Sequence, residues 1–252
     1  MKIRQALFSR GVTGFFFDDQ KAIKGGLAQD GFVYLGKPVT DGFEQVRQAG
    51  ESISVMLVLD SGDVAMGDCA AVQYSGTGGR DPLFLAETYV PFLESQVAPL
   101  LAGSTFATFR EAAAFFDGLK IGGRRLHTAI RYGLSQALLD AQARATGRLM
   151  AEVIAEEYGL PLVPERVPVF AQSGDDRYGH VDKMILKQVE VLPHALINNV
   201  DTKLGRKGEI LADYVAWLSG RIQALRPSGA YRPALHIDVY GTIGLAFDHD
   251  AR

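Results

Sequence analysis

The sequence predicts an α+β capping domain over residues 1–164, followed over 165–252 by the start of a (β/α)8 (TIM) barrel, with about three of its eight strands present. Three observations predict this. In the first part, strand-like runs precede helix-like runs, the signature of an α+β domain. After residue 165, strands and helices alternate, which implies βαβ units and a parallel sheet. Only 87 residues follow position 165, whereas a closed barrel needs roughly 200 to 250.

Each element has a local reason. Residues 52–60 (SISVMLVLD) and 64–72 (VAMGDCAAV) are rich in β-formers, and Ser61-Gly62-Asp63 between them supplies turn chemistry, so a hairpin is expected. Thr108-Phe109-Arg110-Glu111 has capping-box spacing and should open a helix carrying Phe115, Phe116 and Leu119. Residues 125–144 place Leu126, Ile130, Leu134 and Leu138 four apart beside Ala129, Gly133 and Ala137, a helix whose small-residue stripe allows close packing. Residues 167–172 (VPVFAQ) read as a first parallel strand and 176–189 as a helix with Val181, Met184, Ile185 and Val189 on one face. Residues 191–197 (VLPHALI) are a second strand run, less regular because of Pro193. A helix over 206–226 and a strictly alternating strand over 235–240 (LHIDVY) complete the series. A small open doubly-wound sheet is the rival architecture. It ranks lower because Gln172-Ser173-Gly174-Asp175-Asp176-Arg177 after the first strand is acidic rather than a glycine-rich phosphate loop.

Composition bounds the function. The 252 residues are 47% apolar and 22% charged, ordinary for a soluble globular chain. A net charge of −3 with no block of lysine or arginine argues against nucleic-acid or anionic-membrane partners. Cys69 is the single cysteine, which rules out an intrachain disulfide and fits a reducing cytoplasm. The opening MKIRQALFSRGVTG is too interrupted for a secretory signal, and the apolar runs are too short to span a membrane. No internal repeat or low-complexity tract is present.

In a barrel enzyme, chemistry sits at the C-terminal ends of strands. Gln172, His194 and Asp238 fall there. His194 lies among apolar residues, where a histidine is more often a hydrogen-bonded core residue; functionally it would be a general acid or base. Asp238 interrupts LHI and VY, where a carboxylate is costly to bury without a partner; a hard cation such as Mg2+ or a salt bridge would compensate it. Alternation puts His236 and Asp238 on one face; beyond that, no role follows for His236. Gln172 could donate to a substrate carboxylate or simply cap a strand end. The glycine-rich loop 71–82 (AVQYSGTGGRDP) could close over a site and present Gln73, or mark only a tight path. The pairs Asp18-Asp19 and Asp175-Asp176 read as capping or solvated residues rather than metal sites. Trp217 reads as core, and His127, His180 and His249 lack ligand-like spacing.

The segments FFFDDQKAIK (15–24), AAVQYSGTGGRDPLF (70–84), RLHTAIRYGLSQALLDA (125–141), PVFAQSGDDRY (168–178), VLPHALINNV (191–200) and HIDVYGTIG (236–244) together resemble methylaspartate ammonia-lyase, a family of the enolase superfamily. The resemblance covers essentially the whole chain. It implies reversible removal of ammonia from 3-methylaspartate to give mesaconate, with Mg2+ as cofactor, K+ as activator and a homodimeric assembly. It also implies residue roles: Asp238 as a metal carboxylate, His194 as an acid or base across the substrate from the main base, Gln172 and Gln73 as substrate-binding residues, and Phe170 as a pocket wall. The family pattern continues past residue 252 with the other two metal carboxylates and the lysine base, so this chain alone is expected to be inactive. The competing readings are half of a split lyase, a non-catalytic capping or dimerisation fragment, and another enolase-superfamily reaction such as racemisation or dehydration.

Overall fold

The computed structural model describes all residues except 32, 72–80, 175, 240 and 249–252, together with the side chains of Lys24 and Gln29. Gln73 lies outside the described residues. The chain forms two compact units, Met1–Val163 and Pro164–Arg252.

The first unit begins with β1 (Ile3–Asp18), α1 (Gln20–Lys24), the short pair β2 (Ala28–Asp30) and β3 (Val33–Leu35), and the longer strands β4 (Arg47–Leu59) and β5 (Val64–Ala70). Helices α2 (Ala86–Phe92), α3 (Ala98–Leu101) and α4 (Phe109–Gly118), the pair β6 (Lys120–Ile121) and β7 (Arg124–Arg125), and helices α5 (Thr128–Thr146) and α6 (Met150–Glu157) follow. β1, β4 and β5 form an antiparallel sheet with β4 in the centre. The expected hairpin is β4–β5. Gly62 takes a φ of 94°, a left-handed conformation that favours glycine, and the Ser61 hydroxyl bonds to the Asp63 carboxylate at 2.7 Å. The strand β4 starts earlier than expected, at Arg47, because it also pairs along β1 as far as Asp18.

Alternation along β4 buries Ile53, Val55, Leu57 and Leu59 on one face. The helix α5 covers the sheet with Ile130, Leu134 and Leu138, all fully buried, each contributing roughly 1.5 to 3 kcal/mol of hydrophobic stabilisation. The small-residue stripe explains how closely α5 approaches. A Cβ added at Gly67 of β5 would collide with the Gly133 carbonyl oxygen and lie 2.6 Å from the Ala137 nitrogen. One added at Gly133 would lie 2.5 Å from the Cys69 nitrogen. Both glycines are therefore there for space. The Cys69 thiol is sealed beneath the helix; burial, assisted by the nearby Asp68 charge, pushes it up to about 12 and leaves it unreactive.

Caps end the helices as their chemistry requires. The Thr108 hydroxyl accepts the Glu111 N–H at 3.1 Å, and the Glu111 carboxylate accepts the N–H of Ala107, one residue before the cap. His127, for which no role follows from its spacing, caps α5: its Nδ1 accepts the Ala129 N–H at 3.0 Å, and its Nε2 lies 2.9 Å from the Pro82 carbonyl oxygen. Burial holds its pKa below the ordinary histidine value, against the contrary influence of the Pro82 carbonyl and Asp81. The pair Asp18-Asp19 is structural. Arg47 donates two hydrogen bonds of 2.7 Å to the Asp18 carboxylate. Asp19 accepts from the N–H groups of Ala22, Val39 and Thr40 and from the Thr40 hydroxyl, tying the start of α1 to the segment after β3.

The second unit contains α7 (Val181–Leu186), β8 (Val191–Leu196), α8 (Glu209–Leu225), β9 (Ala234–Asp238) and α9 (Thr242–Ala246). The strands β8 and β9 pair in parallel across the α8 crossover. Leu192 and Ala195 of β8 pack with Val181, Met184 and Ile185 of α7 and with Tyr214 and Leu218 of α8; Trp217 lies against this core. Two expectations change here. The segment 167–172 runs parallel to β8, but among the described residues it makes a single isolated bridge, Phe170 with Val191, and the next bridge, Gly174 with Ala195, lies just beyond it. Pro193 lies between the two bridges and has no N–H to extend the ladder. The helix expected over 176–189 is confined to Val181–Leu186. The Asp176 carboxylate turns the chain before it by accepting the Gly179 N–H at 2.8 Å.

The substitution Gly67→Ala is expected to destabilise the first unit by about 2 kcal/mol or more, because the backbone of α5 must move away; denaturant unfolding followed by circular dichroism measures it. Asp19 supplies a second expectation. Burial alone would raise its carboxyl, but the Thr40 hydroxyl and the three N–H donors outweigh it and hold the group at about 2, below the ordinary carboxylate value. The stability it contributes is therefore full above the ordinary value and fades as pH falls from about 4 to about 2. Asp19→Asn is expected to be less stable at neutral pH and to lose stability less steeply over that acid range in pH-dependent urea melts.

Candidate active site

Four of the candidate residues lie in the second unit, in or beside its parallel strands. β8 and β9 register Pro193 opposite His236, Ala195 opposite Ile237 and Leu196 opposite Asp238. His194 is the extra residue in this ladder, a bulge, and its φ is +47°. That left-handed conformation, uncommon outside glycine, lets the imidazole turn toward the face that carries His236 and Asp238.

The result is a compact polar cluster. The Nε2 of His194 lies 3.6 Å from the Asp238 carboxylate. The Nδ1 of His194 lies 2.9 Å from the Nδ1 of His236. The two ring planes are 9° apart with centroids 4.9 Å apart. The Phe170 ring stands nearly perpendicular to both imidazoles, 5.2 Å from each centroid. His194 and Asp238 are half-buried, while His236 and Phe170 are exposed. Gln172 is exposed and follows Phe170 by two residues along the extended segment, which places it on the same face by alternation. Its side chain makes no hydrogen bond among the described residues. The structure thus brings Asp238, His194 and Phe170 together and leaves Gln172 at the rim.

Sequence reasoning gave His236 no role, yet its ring is the hydrogen-bond partner of His194. The available signal was its spacing of two from Asp238 on an alternating strand. The bulge that makes the contact had no sequence signal beyond Pro193.

Chemically, the cluster offers one hard oxygen ligand, one imidazole able to move a proton at Nε2, and an aromatic wall. Among the described residues no group of three or more histidine, cysteine, aspartate or glutamate side chains is arranged to hold a metal ion. Magnesium takes six oxygen ligands in near-octahedral geometry, so Asp238 alone does not make a magnesium site.

The architecture defines the class. The chain shares its fold with dipeptide epimerase from Methylococcus capsulatus, at a TM-score of 0.57 and 14% identity over 96% of this chain and 55% of that one. Patterns described as the methylaspartate ammonia-lyase N-terminus and C-terminus match residues 1–159 and 161–252. The chain belongs to the methylaspartate ammonia-lyase family. It is 65% identical to the enzyme of Citrobacter amalonaticus over 99% of this chain and 60% of that protein. The structure of that enzyme containing (2S,3S)-3-methylaspartic acid matches at a TM-score of 0.90. The magnesium complex of β-methylaspartase from Clostridium tetanomorphum matches at 0.88, with 60% identity over 98% of this chain and 60% of that one. The chain spans about 60% of the length of the curated relatives it matches.

Proposed function

We propose that this chain supplies the capping domain, residues 1–164, and the first three βα units, residues 165–252, of a methylaspartate ammonia-lyase, a carbon–nitrogen lyase that converts 3-methylaspartate to mesaconate and ammonia. The observation that carries the reading is the 3.6 Å contact between the His194 Nε2 and the Asp238 carboxylate at adjoining positions of parallel strands. A carboxylate and an imidazole meeting there suit an enzyme that draws a proton from a carbon beside a carboxylate.

The roles follow from the side chains. The C–H bond next to a carboxylate is weakly acidic, and its removal builds negative charge on that carboxylate. His194 would give or take a proton at Nε2 on one face of the substrate. Gln172 would donate its amide N–H to a substrate carboxylate, and Phe170 would wall the pocket and exclude water. Gln73 would meet the substrate amino group. Asp238 would be one oxygen ligand of Mg2+, with K+ as activator. The described residues do not complete that metal site, so no step through the metal is derived for this chain, and alone it is proposed to be inactive.

Completion by further strands is supported by β9. Among the described residues it has a strand partner on one side only, β8. An open parallel edge is where a barrel adds its next strand. The missing strands could be carried by the same or by a second polypeptide. The completed enzyme would be a homodimer acting on a small amino acid in the cytoplasm. No helix among the described residues is long and apolar enough to cross a membrane.

The test is an assay of the purified 252-residue protein with Mg2+, K+ and 3-methylaspartate, following mesaconate absorbance. No turnover is expected from the chain alone. Turnover is expected when the remaining family strands are supplied, and Asp238→Asn should then reduce it by about a thousandfold or more. Activity of the chain alone, or none after completion, refutes the proposal.

A further inference from the structure

We infer that His236 is a positioning residue for His194: it holds the Nδ1 of that ring by a hydrogen bond and so determines which nitrogen is turned toward Asp238. The functional meaning of this rests on the lyase reading of the site; the pairing itself rests on geometry alone.

The two Nδ1 atoms are 2.9 Å apart, a hydrogen-bond distance. The ring planes differ by 9° while the centroids are 4.9 Å apart, so the rings lie edge to edge and meet through their nitrogens. A neutral imidazole has one N–H and one lone pair. Two Nδ1 atoms in contact therefore need opposite tautomers, one ring protonated at Nδ1 and the other at Nε2.

Asp238 decides which is which. An ionised carboxylate only accepts hydrogen bonds, and its oxygen lies 3.6 Å from the Nε2 of His194. An N–H at that nitrogen is attracted to the carboxylate, whereas a lone pair is repelled. His194 thus carries its proton on Nε2 and accepts at Nδ1. His236 donates from Nδ1 and turns a bare Nε2 outward.

The χ2 torsion of histidine is broad and roughly two-fold. Without a partner the His194 ring can turn over and present carbon where Nε2 had been. The His236 bond prevents this, and the perpendicular Phe170 ring, 5.2 Å from both imidazoles, crowds the same rotation. The nitrogen that His194 turns toward Asp238 is therefore fixed by a residue two positions from Asp238 on the neighbouring strand.

The test uses the 252-residue protein labelled with 15N in its histidines, at a pH of about 8.5, above the ordinary histidine value of about 6.5. Nuclear magnetic resonance should show a scalar coupling between the two Nδ1 atoms across the hydrogen bond. The Nδ1 of His236 and the Nε2 of His194 should be the proton-bearing nitrogens. His236→Asn places an amide N–H near the lost Nδ1 and should keep the His194 Nδ1 bare. His236→Ala should abolish the coupling and let the two His194 nitrogens average. Absence of the coupling in the unsubstituted protein, or a proton on the His194 Nδ1, overturns the inference; both results are read without the alanine variant, should it fail to fold. In the completed lyase, His236→Ala should lower kcat by about tenfold to a hundredfold with KM little changed, and His236→Asn should restore most of it. An unchanged kcat overturns the positioning role. A persistent coupling in a completed protein without turnover refutes the lyase reading and leaves the pairing standing.

Discussion

The parallel pairing of β8 with β9, interrupted by one extra residue at His194, is the constraint on which the candidate site depends. Backbone hydrogen bonds fix Leu196 opposite Asp238 and Pro193 opposite His236. Between them the chain must fit one residue more on β8 than on β9. His194 absorbs the surplus by taking a φ of +47°, which rotates its side chain out of strict alternation. Without the bulge, residue 194 would follow the pleat away from the face shared by His236 and Asp238. A conformation of this kind costs of order 1 kcal/mol or more, and the surrounding packing must supply it. The fully buried Leu192 and Ala195 on either side, held by α7 and α8, anchor the strand through the irregular residue.

The first unit is organised by a different close contact with a similar logic. Its core exists because two glycines, Gly67 on β5 and Gly133 on α5, bring a helix backbone against a sheet backbone. The large buried residues around them then pack into one core. The charged residues at its edge, Asp18 with Arg47 and Asp19 with its four donors, close off chain ends that would otherwise leave buried polar groups unmatched. The reactive candidates Asp238, His194, Gln172 and Phe170 belong to the other unit, where backbone is held at strand ends and side chains reach solvent.

The metal question turns on the same geometry. One carboxylate beside one imidazole can set a proton but cannot by itself hold a hexacoordinate ion. The family relationship and the partial coverage of its relatives fit a site whose remaining ligands would stand on strands beyond the open edge of β9.

The sequence by itself determined what short-range physics controls. Periodicity of two placed His236 with Asp238, periodicity near 3.6 gave α5 and α8, Ser61-Gly62-Asp63 gave the β4–β5 turn, and the small-residue stripe on α5 announced a close approach. The extended run of sequence identity with its relatives carried the family. Tertiary structure alone decided the rest. It bound His127 to the Pro82 carbonyl and Arg47 to Asp18, reduced 167–172 to a single bridge because Pro193 has no N–H, and set the bulge that turns His194 onto His236. Each of these joins groups far apart in sequence or depends on how two strands happen to register. Local propensity is blind to both, because the energy that selects them appears only once the backbones have been brought together.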